Sequence, residues 1–168
     1  MFPSQINLLQ EVLYMEKYIL SNMERKNFSK AVNEIYLSTD YNHKQYPEYL
    51  KWFFQKSIPR IFNGTGEIIF FLNGLSIGGL AILKNDIDEK KICTLLISDE
   101  FKRKGYGSLL LEDSFKFLGT EQPVITIPTY SVDDFSAIIQ HYNWKESCRT
   151  SEYLSEEIVF NNFHNASL

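Results

Sequence analysis

The chain has 168 residues, about one domain at ~150 residues each. Apolar residues make up 44% and charged residues 23%, ordinary globular usage that rules out a disordered chain, a collagen-like fibre and a coiled coil. A net charge of -4 argues against a general nucleic-acid binder, though a local basic patch is allowed.

Leu8, Leu9, Val12, Leu13 and Met15 have roughly helical spacing. Residues 17–22, with Tyr18, Ile19 and Leu20, form a candidate first strand. Asn27 or Ser29 caps a helix to about Leu37, with Phe28, Ala31, Val32, Ile35 and Tyr36 on one face. Residues 46–62 read as a second helix burying Tyr49, Leu50, Phe53, Phe54, Ile58 and Ile61, with Pro59 ending or kinking it. The period then changes. Residues 67–72 are β-rich, Asn73-Gly74 signals a hairpin, and residues 75–83 return. A polar, acidic loop at 84–90 leads to 91–98, almost wholly apolar after Lys91, a pattern expected of a strand buried on both faces. A helix at 105–118 ends at Gly119. A strand at 123–127 is closed by Pro128, Asp133 or Asp134 caps a helix to about Tyr142, and strands near 144–149 and 153–160 finish the chain. The unit from 91 to 127 should be a parallel strand–helix–strand crossover.

The densest chemical signal lies between Leu95 and Ser108. An apolar strand ends, Lys102, Arg103 and Lys104 follow, and Gly105 and Gly107 open a helix. A helix N-terminus offers unpaired N–H groups and a positive dipole end, which together attract anions. A pyrophosphate is the natural guest. The dinucleotide fingerprint fails because Gly107 is followed by Ser-Leu-Leu, and no Walker A spacing exists. Without a ligand the segment would be a cationic turn capping a helix.

Lys102-Arg-Lys-Gly-Tyr-Gly107 after an apolar strand resembles the acyl-CoA signature of the GNAT superfamily of N-acyltransferases, Gln/Arg-x-x-Gly-x-Gly/Ala, with Lys102 as a charge-conserving departure. The element order from about Lys17 to Phe160 resembles that fold, over roughly nine-tenths of the chain. The resemblance implies an α/β fold: a mixed central sheet with a parallel splayed strand pair, flanked by helices. It implies one domain over residues 1–168, with residues 1–15 as an extension and 161–168 as a flexible tail. It implies acetyl-CoA as co-substrate. Leu95, Leu96 and Ile97 would pair with the pantetheine arm, and Lys102, Arg103, Lys104, Gly105, Tyr106, Gly107 and Ser108 would hold the pyrophosphate. An N–H near Ile97 would polarise the acyl carbonyl.

An amine nucleophile must lose a proton and the leaving thiolate must gain one. The family often places the acid at the Tyr of Tyr-x-x-x-Gly-Phe. The matching segment is Ile139-Gln-His-Tyr-Asn-Trp144, with Ile139 at that position and Asn143 in place of Gly. Asn tolerates the left-handed geometry, but Ile139 cannot donate a proton. Tyr142 and Tyr130 are the candidates put in its place, with His141 and Ser131 nearby. The alternative function is a non-catalytic acyl-CoA-binding regulatory module.

Other features read as structural. Asp86, Asp88 and Glu89 suit a solvated loop, Thr94 a structural hydroxyl, and Cys93 a small core residue without a partner base. Gly74-Leu-Ser-Ile-Gly78 matches a hydrolase nucleophile elbow, but strand rather than helix follows Ser76, so Gly78 and Gly79 read as a bulge or close packing. His43, His141 and His164 have no metal-site spacing. Cys93 and Cys148 lack a Cys-x-x-Cys pairing and read as free thiols. With no signal-peptide pattern and no apolar run of about 18 residues, a cytoplasmic protein is expected. The expected partner is a small-molecule or peptide amine. A nucleic acid is not expected, and a homodimer is left open.

Overall fold

A computed structural model describes residues 15–163; the helical spacing before Met15 and residues 164–168 of the tail expected over 161–168 lie outside them. Asn161, the first residue of that expected tail, is instead buried, accepting from the Lys145 N–H and donating to the Pro123 carbonyl. Seven strands form one mixed sheet in the order β1-β2-β3-β4-β5-β7-β6. They are β1 (Met15–Ile19), β2 (Gly66–Asn73), β3 (Ser76–Asn85), β4 (Lys90–Ile97), β5 (Val124–Pro128), β6 (Glu146–Thr150) and β7 (Glu157–Phe160). Every neighbouring pair is antiparallel except β4 and β5. The parallel splayed pair expected from the sequence is therefore present.

The strands alternate their apolar residues between two layers, as a sheet covered on both faces requires. On one face α1 (Arg25–Ser38), α2 (Asp40–Gln45), α3 (Tyr49–Trp52) and α4 (Ile58–Asn63) follow in order. Val32, Ile35, Tyr49 and Ile61 from these helices pack with Ile68, Phe70, Leu80 and Ile82 of the sheet. On the other face α5 (Tyr106–Leu118) lays Leu110, Leu111, Phe115 and Leu118 against Ile69, Ala81, Ile125 and Ile127. Helix α6 (Ser136–His141) adds Ile138 and Ile139 to that layer.

Three sequence expectations change. The helix expected over 46–62 begins three residues later and runs from Tyr49 to Asn63, with a π turn at Phe53–Ser57 joining α3 to α4. Pro59 does not end the helix: it follows directly on the π turn, and the backbone stays helical on both sides of it. Of the expected buried residues, Leu50 is 59% exposed while Tyr49 beside it is buried and Phe53 fully so, since adjacent residues on a helix point about 100° apart. The expected strand at 153–160 shortens to β7. Finally, β4 is not buried on both faces: only Ile92 is buried, and residues 93–97 are partly exposed.

Local chemistry explains the joints. Gly74 adopts φ +61° in the two-residue hairpin loop, and Gly119 ends α5 at φ +69°. Asn143 takes φ +53°, the left-handed conformation expected of it. Buried Glu67 fastens the turn after β1, accepting bonds from the Ser21 N–H at 3.1 Å and the Ser21 hydroxyl. Gly78 is the bulge residue opposite the Phe71/Leu72 register shift, as the sequence suggested. A Cβ on Gly79 would lie 2.7 Å from Ile97 Cδ1 and 3.1 Å from the Leu96 carbonyl. Overpacking of this kind costs about 1–3 kcal/mol, so Gly79→Val should lower the unfolding free energy read from a urea titration by that much, through a lower midpoint at unchanged slope.

Candidate functional site

The site exists because β5 leaves β4. Only Lys91–Val124 and Ile92–Ile125 pair between them, after which β5 pairs with β7 alone. Beyond this fork the β4 edge from residue 93 to 97 faces no strand. The gap is a cleft of about 710 Å³. It is lined by Cys93, Thr94, Leu95, Leu96 and Ile97 on one side and by Thr126, Ile127, Pro128 and Ile138 on the other. An apolar strand that is half exposed, with one row of backbone groups unmatched, is suited to an extended ligand with its own amides.

The cleft runs through the sheet and has two unlike ends. One end meets the N-terminus of α5. Gly105, at φ +88°, caps that helix, and Arg103 also turns left-handed at φ +60°. Lys102, Arg103 and Gly107 line this end. A side chain at Gly107 would meet only Ile97 Cγ1, at 3.9 Å, so the space above the first turn is open. Lys102 is exposed and pairs with Asp99 at 2.8 Å, which raises the lysine pKa and lowers that of the carboxyl. Lys104 lies over the Phe101 ring at 5.6 Å instead of lining the cleft. Asp133 and Asp134 border the same end.

The other end faces α1 and α2 and carries hydroxyls and amides: Thr39, Asn42, Tyr46 and Thr94. Asn42 Nδ2 donates to Thr94 Oγ1 at 3.2 Å. Behind them the buried Tyr49 hydroxyl lies beside Thr39, Asn42 and Thr94 but closes a hydrogen bond with none, and burial raises its pKa. Tyr46 donates to Glu157, which is 1% exposed. Burial first, then that carboxylate, holds the Tyr46 hydroxyl protonated well above the ordinary phenol range.

The site residues expected from the sequence are thus partly gathered. Leu95, Leu96, Ile97, Lys102, Arg103 and Gly107 line the cleft, whereas Lys104, Gly105, Tyr106 and Ser108 adjoin it through the loop and first turn of α5. Tyr142 packs on Phe115 and Trp144 and does not line the cleft. Tyr130 is 58% exposed and sits by Ser155 and Glu157. Ile139 packs into the α5-side core. Tyr46, Glu157 and Tyr49 carried no recognisable motif. Their only signal is a Glu opening an apolar strand and a Tyr before Pro47, both common without function.

The remaining groups fall into place as structure. Asp86 pairs with Lys84 at 3.4 Å and Glu89 with Lys84 at 2.9 Å. Among the described residues no cluster of three or more His, Cys, Asp or Glu is placed to hold a metal, and no helix is long and apolar enough to cross a membrane.

No protein-family profile and no curated protein matches the chain. Solved structures do. The ribosomal-protein-S18-alanine N-acetyltransferase of Escherichia coli superposes with a TM-score of 0.52 at 12% identity, over 86% of this chain and 92% of that one. A protein of Bacillus anthracis str. Ames assigned as a streptothricin acetyltransferase, solved with acetyl coenzyme A, gives 0.50 at 13% identity, over 62% and 67%. Together with the splayed β4–β5 pair, these superpositions establish that the chain has the fold of the GNAT superfamily of acetyltransferases.

Cys93 lies at the inner end of the cleft, and burial pushes its thiol pKa up to about 11. The reactive thiolate is therefore scarce at neutral pH. Iodoacetamide near neutral pH should label exposed Cys148 well before Cys93, as read by peptide mass spectrometry. Comparable labelling rates would contradict this environment.

Proposed function

We propose that the chain is an N-acetyltransferase that moves an acetyl group from acetyl-CoA to a primary amine by direct attack, as a single domain. The observation that carries this reading is the unpaired β4 edge ending beside an open, glycine-capped, cationic helix N-terminus. The pantetheine arm has amides to bond the edge at Leu95, Leu96 and Ile97. The pyrophosphate has N–H groups of the α5 first turn and the charges of Lys102 and Arg103. Both demands of the co-substrate, an extended polar arm and a doubly charged anion, are met by contiguous residues.

The direction of the arm follows from Gly107. Ile97 adjoins Gly107 and so belongs to the anion end. At about 3.3 Å per strand residue, Thr94 lies roughly 10 Å further in. The acyl group, at the far end of the arm, falls nearer the bulge at Cys93 than Ile97. The register shift between Ile82 and Leu83 leaves Cys93 without a partner on β3, which turns local N–H groups off the ladder toward the thioester oxygen.

The amine nitrogen then attacks the acyl carbon from the hydroxyl-lined end. The C–N bond forms, the C–S bond breaks, the amine gives up one proton and the departing thiolate takes one. Direct attack is favoured over an acyl-cysteine because Cys93 stays a thiol. Tyr130 and Tyr142 remain our candidate donors from the sequence, and Tyr130 is the one beside the cleft-lining Ser131. A reducing cytoplasmic setting suits free cysteines. The second reading, an acyl-CoA-binding regulatory module, is favoured by Ile139, which fills the usual acid position.

Acetyl-CoA at 100 times its Kd should stabilise the fold by about 2.7 kcal/mol, a rise of several degrees in Tm, while ATP should give none. Because its site is open, Gly107→Leu should fold with little change in Tm yet lose the acetyl-CoA shift. Absence of a shift with either acetyl-CoA or CoA in the native protein would overturn the assignment. Thiol release with any amine would decide against the regulatory module.

A further inference from the structure

We propose that Tyr46 and Glu157 form the subsite that receives the acceptor's ammonium group, with Tyr46 touching the acceptor and Glu157 positioning it and supplying the charge. The inference rests on reading the cleft as the acetyl-CoA site and adds what enters its opposite end.

Glu157 is almost wholly buried at the start of β7, registered opposite Pro128, a cleft-lining residue. Tyr46, also lining the cleft, donates its hydroxyl to this carboxylate. Among the described residues no Lys, Arg or His lies within ion-pair distance of Glu157. The nearest basic neighbour on the sheet, Arg149, is taken up by Glu146 at 2.8 Å and Glu156 at 3.1 Å. The other groups around the pair are neutral: Tyr130, Ser155 and Tyr153, the last in edge contact with the Tyr46 ring at 4.8 Å. Gln45 Nε2 donates to Ser155 Oγ at 2.5 Å, fixing this loop to α2.

A buried carboxylate without a cation is costly, and proteins normally pair it. Here its side-chain hydrogen bond, among the described residues, comes from a hydroxyl that borders the cleft. The end of the cleft it serves has hydroxyls and amides but no Lys or Arg, whereas the opposite end holds Lys102 and Arg103. The α5 end also carries Asp133 and Asp134, so there the anionic co-substrate is held by helix N–H groups together with Lys102 and Arg103, while the carboxylate behind Tyr46 draws a cationic acceptor to the other end.

A brace that only holds the fold would need the hydrogen bond but not the charge. Glu157→Gln keeps an acceptor for Tyr46 and removes the charge, so it separates the two roles. The probes are diaminobutane and its uncharged counterpart butanediol, titrated calorimetrically into protein saturated with CoA, where no acetyl group can be transferred. Native protein should bind the diamine saturably and the diol not at all. Glu157→Gln should weaken the diamine about thirtyfold or more, with CoA affinity and Tm unchanged. Tyr46→Phe should weaken it about fivefold, and it decides the matter if Glu157→Gln does not fold. Equal diamine affinity in native protein and the folded variants, or no diamine binding to the CoA complex, would overturn the subsite. Failure of CoA itself to bind would instead bring down the reading of the cleft, and this inference with it.

Discussion

Everything in this molecule hangs on a parallel pair that stops after two residues. A strand inside a sheet must match its backbone groups on both sides. β4 does so toward β3 at every residue but Cys93, and toward β5 only at Lys91 and Ile92. β5 is meanwhile held on its other side by four registered pairs with β7 and ends at Pro128, which has no N–H to offer. The sheet is thus continuous at one level and open at the next. The opening is made by backbone geometry, so it does not depend on any one side chain lining it.

That division also explains how function is distributed over the two layers. The α5 layer supplies rigidity and a positive helix end, because a helix that packs Leu110, Leu111, Phe115 and Leu118 on the sheet cannot move its first turn away from β4. The α1–α4 layer is built from short helices, a π turn and stacked rings such as Tyr36 on His43 at 4.1 Å. It supplies shape and polar groups. A fixed, anion-attracting helix end on one side and a polar wall of less regular shape on the other is the arrangement such a construction favours.

The sequence made the α5 layer legible and the other layer much less so. Lys102 to Gly107 could be read because backbone conformation and charge are local properties, and glycines mark where φ must be positive. The succession of elements along the chain and the parallel crossover could be read because hairpin and crossover signals are also local. The apolar run at 91–98 misled, since a strand facing a cleft and a strand facing a core have the same composition. Residues 46–62 misled in part because the adjacent apolar pairs Tyr49-Leu50 and Phe53-Phe54 cannot both face the core, and composition does not say which member does. Tyr46 and Glu157 are 111 residues apart, and nothing in either neighbourhood announces the other. Contacts of that range are fixed by the sheet order, which places β7 beside β5, and not by local pattern.

The half-exposed edge of β4 carries a final consequence. Interior edges of this kind, with Leu95, Leu96 and Ile97 in succession, are templates for pairing with another extended chain. A ligand lying along them works as a protective cover as well as a reactant. Depletion of that ligand leaves the folded chain adhesive in its middle, not at its rim, where charges and short strands usually guard against self-association. A bound ligand would then shield an adhesive edge that lies inside the fold and not at its border.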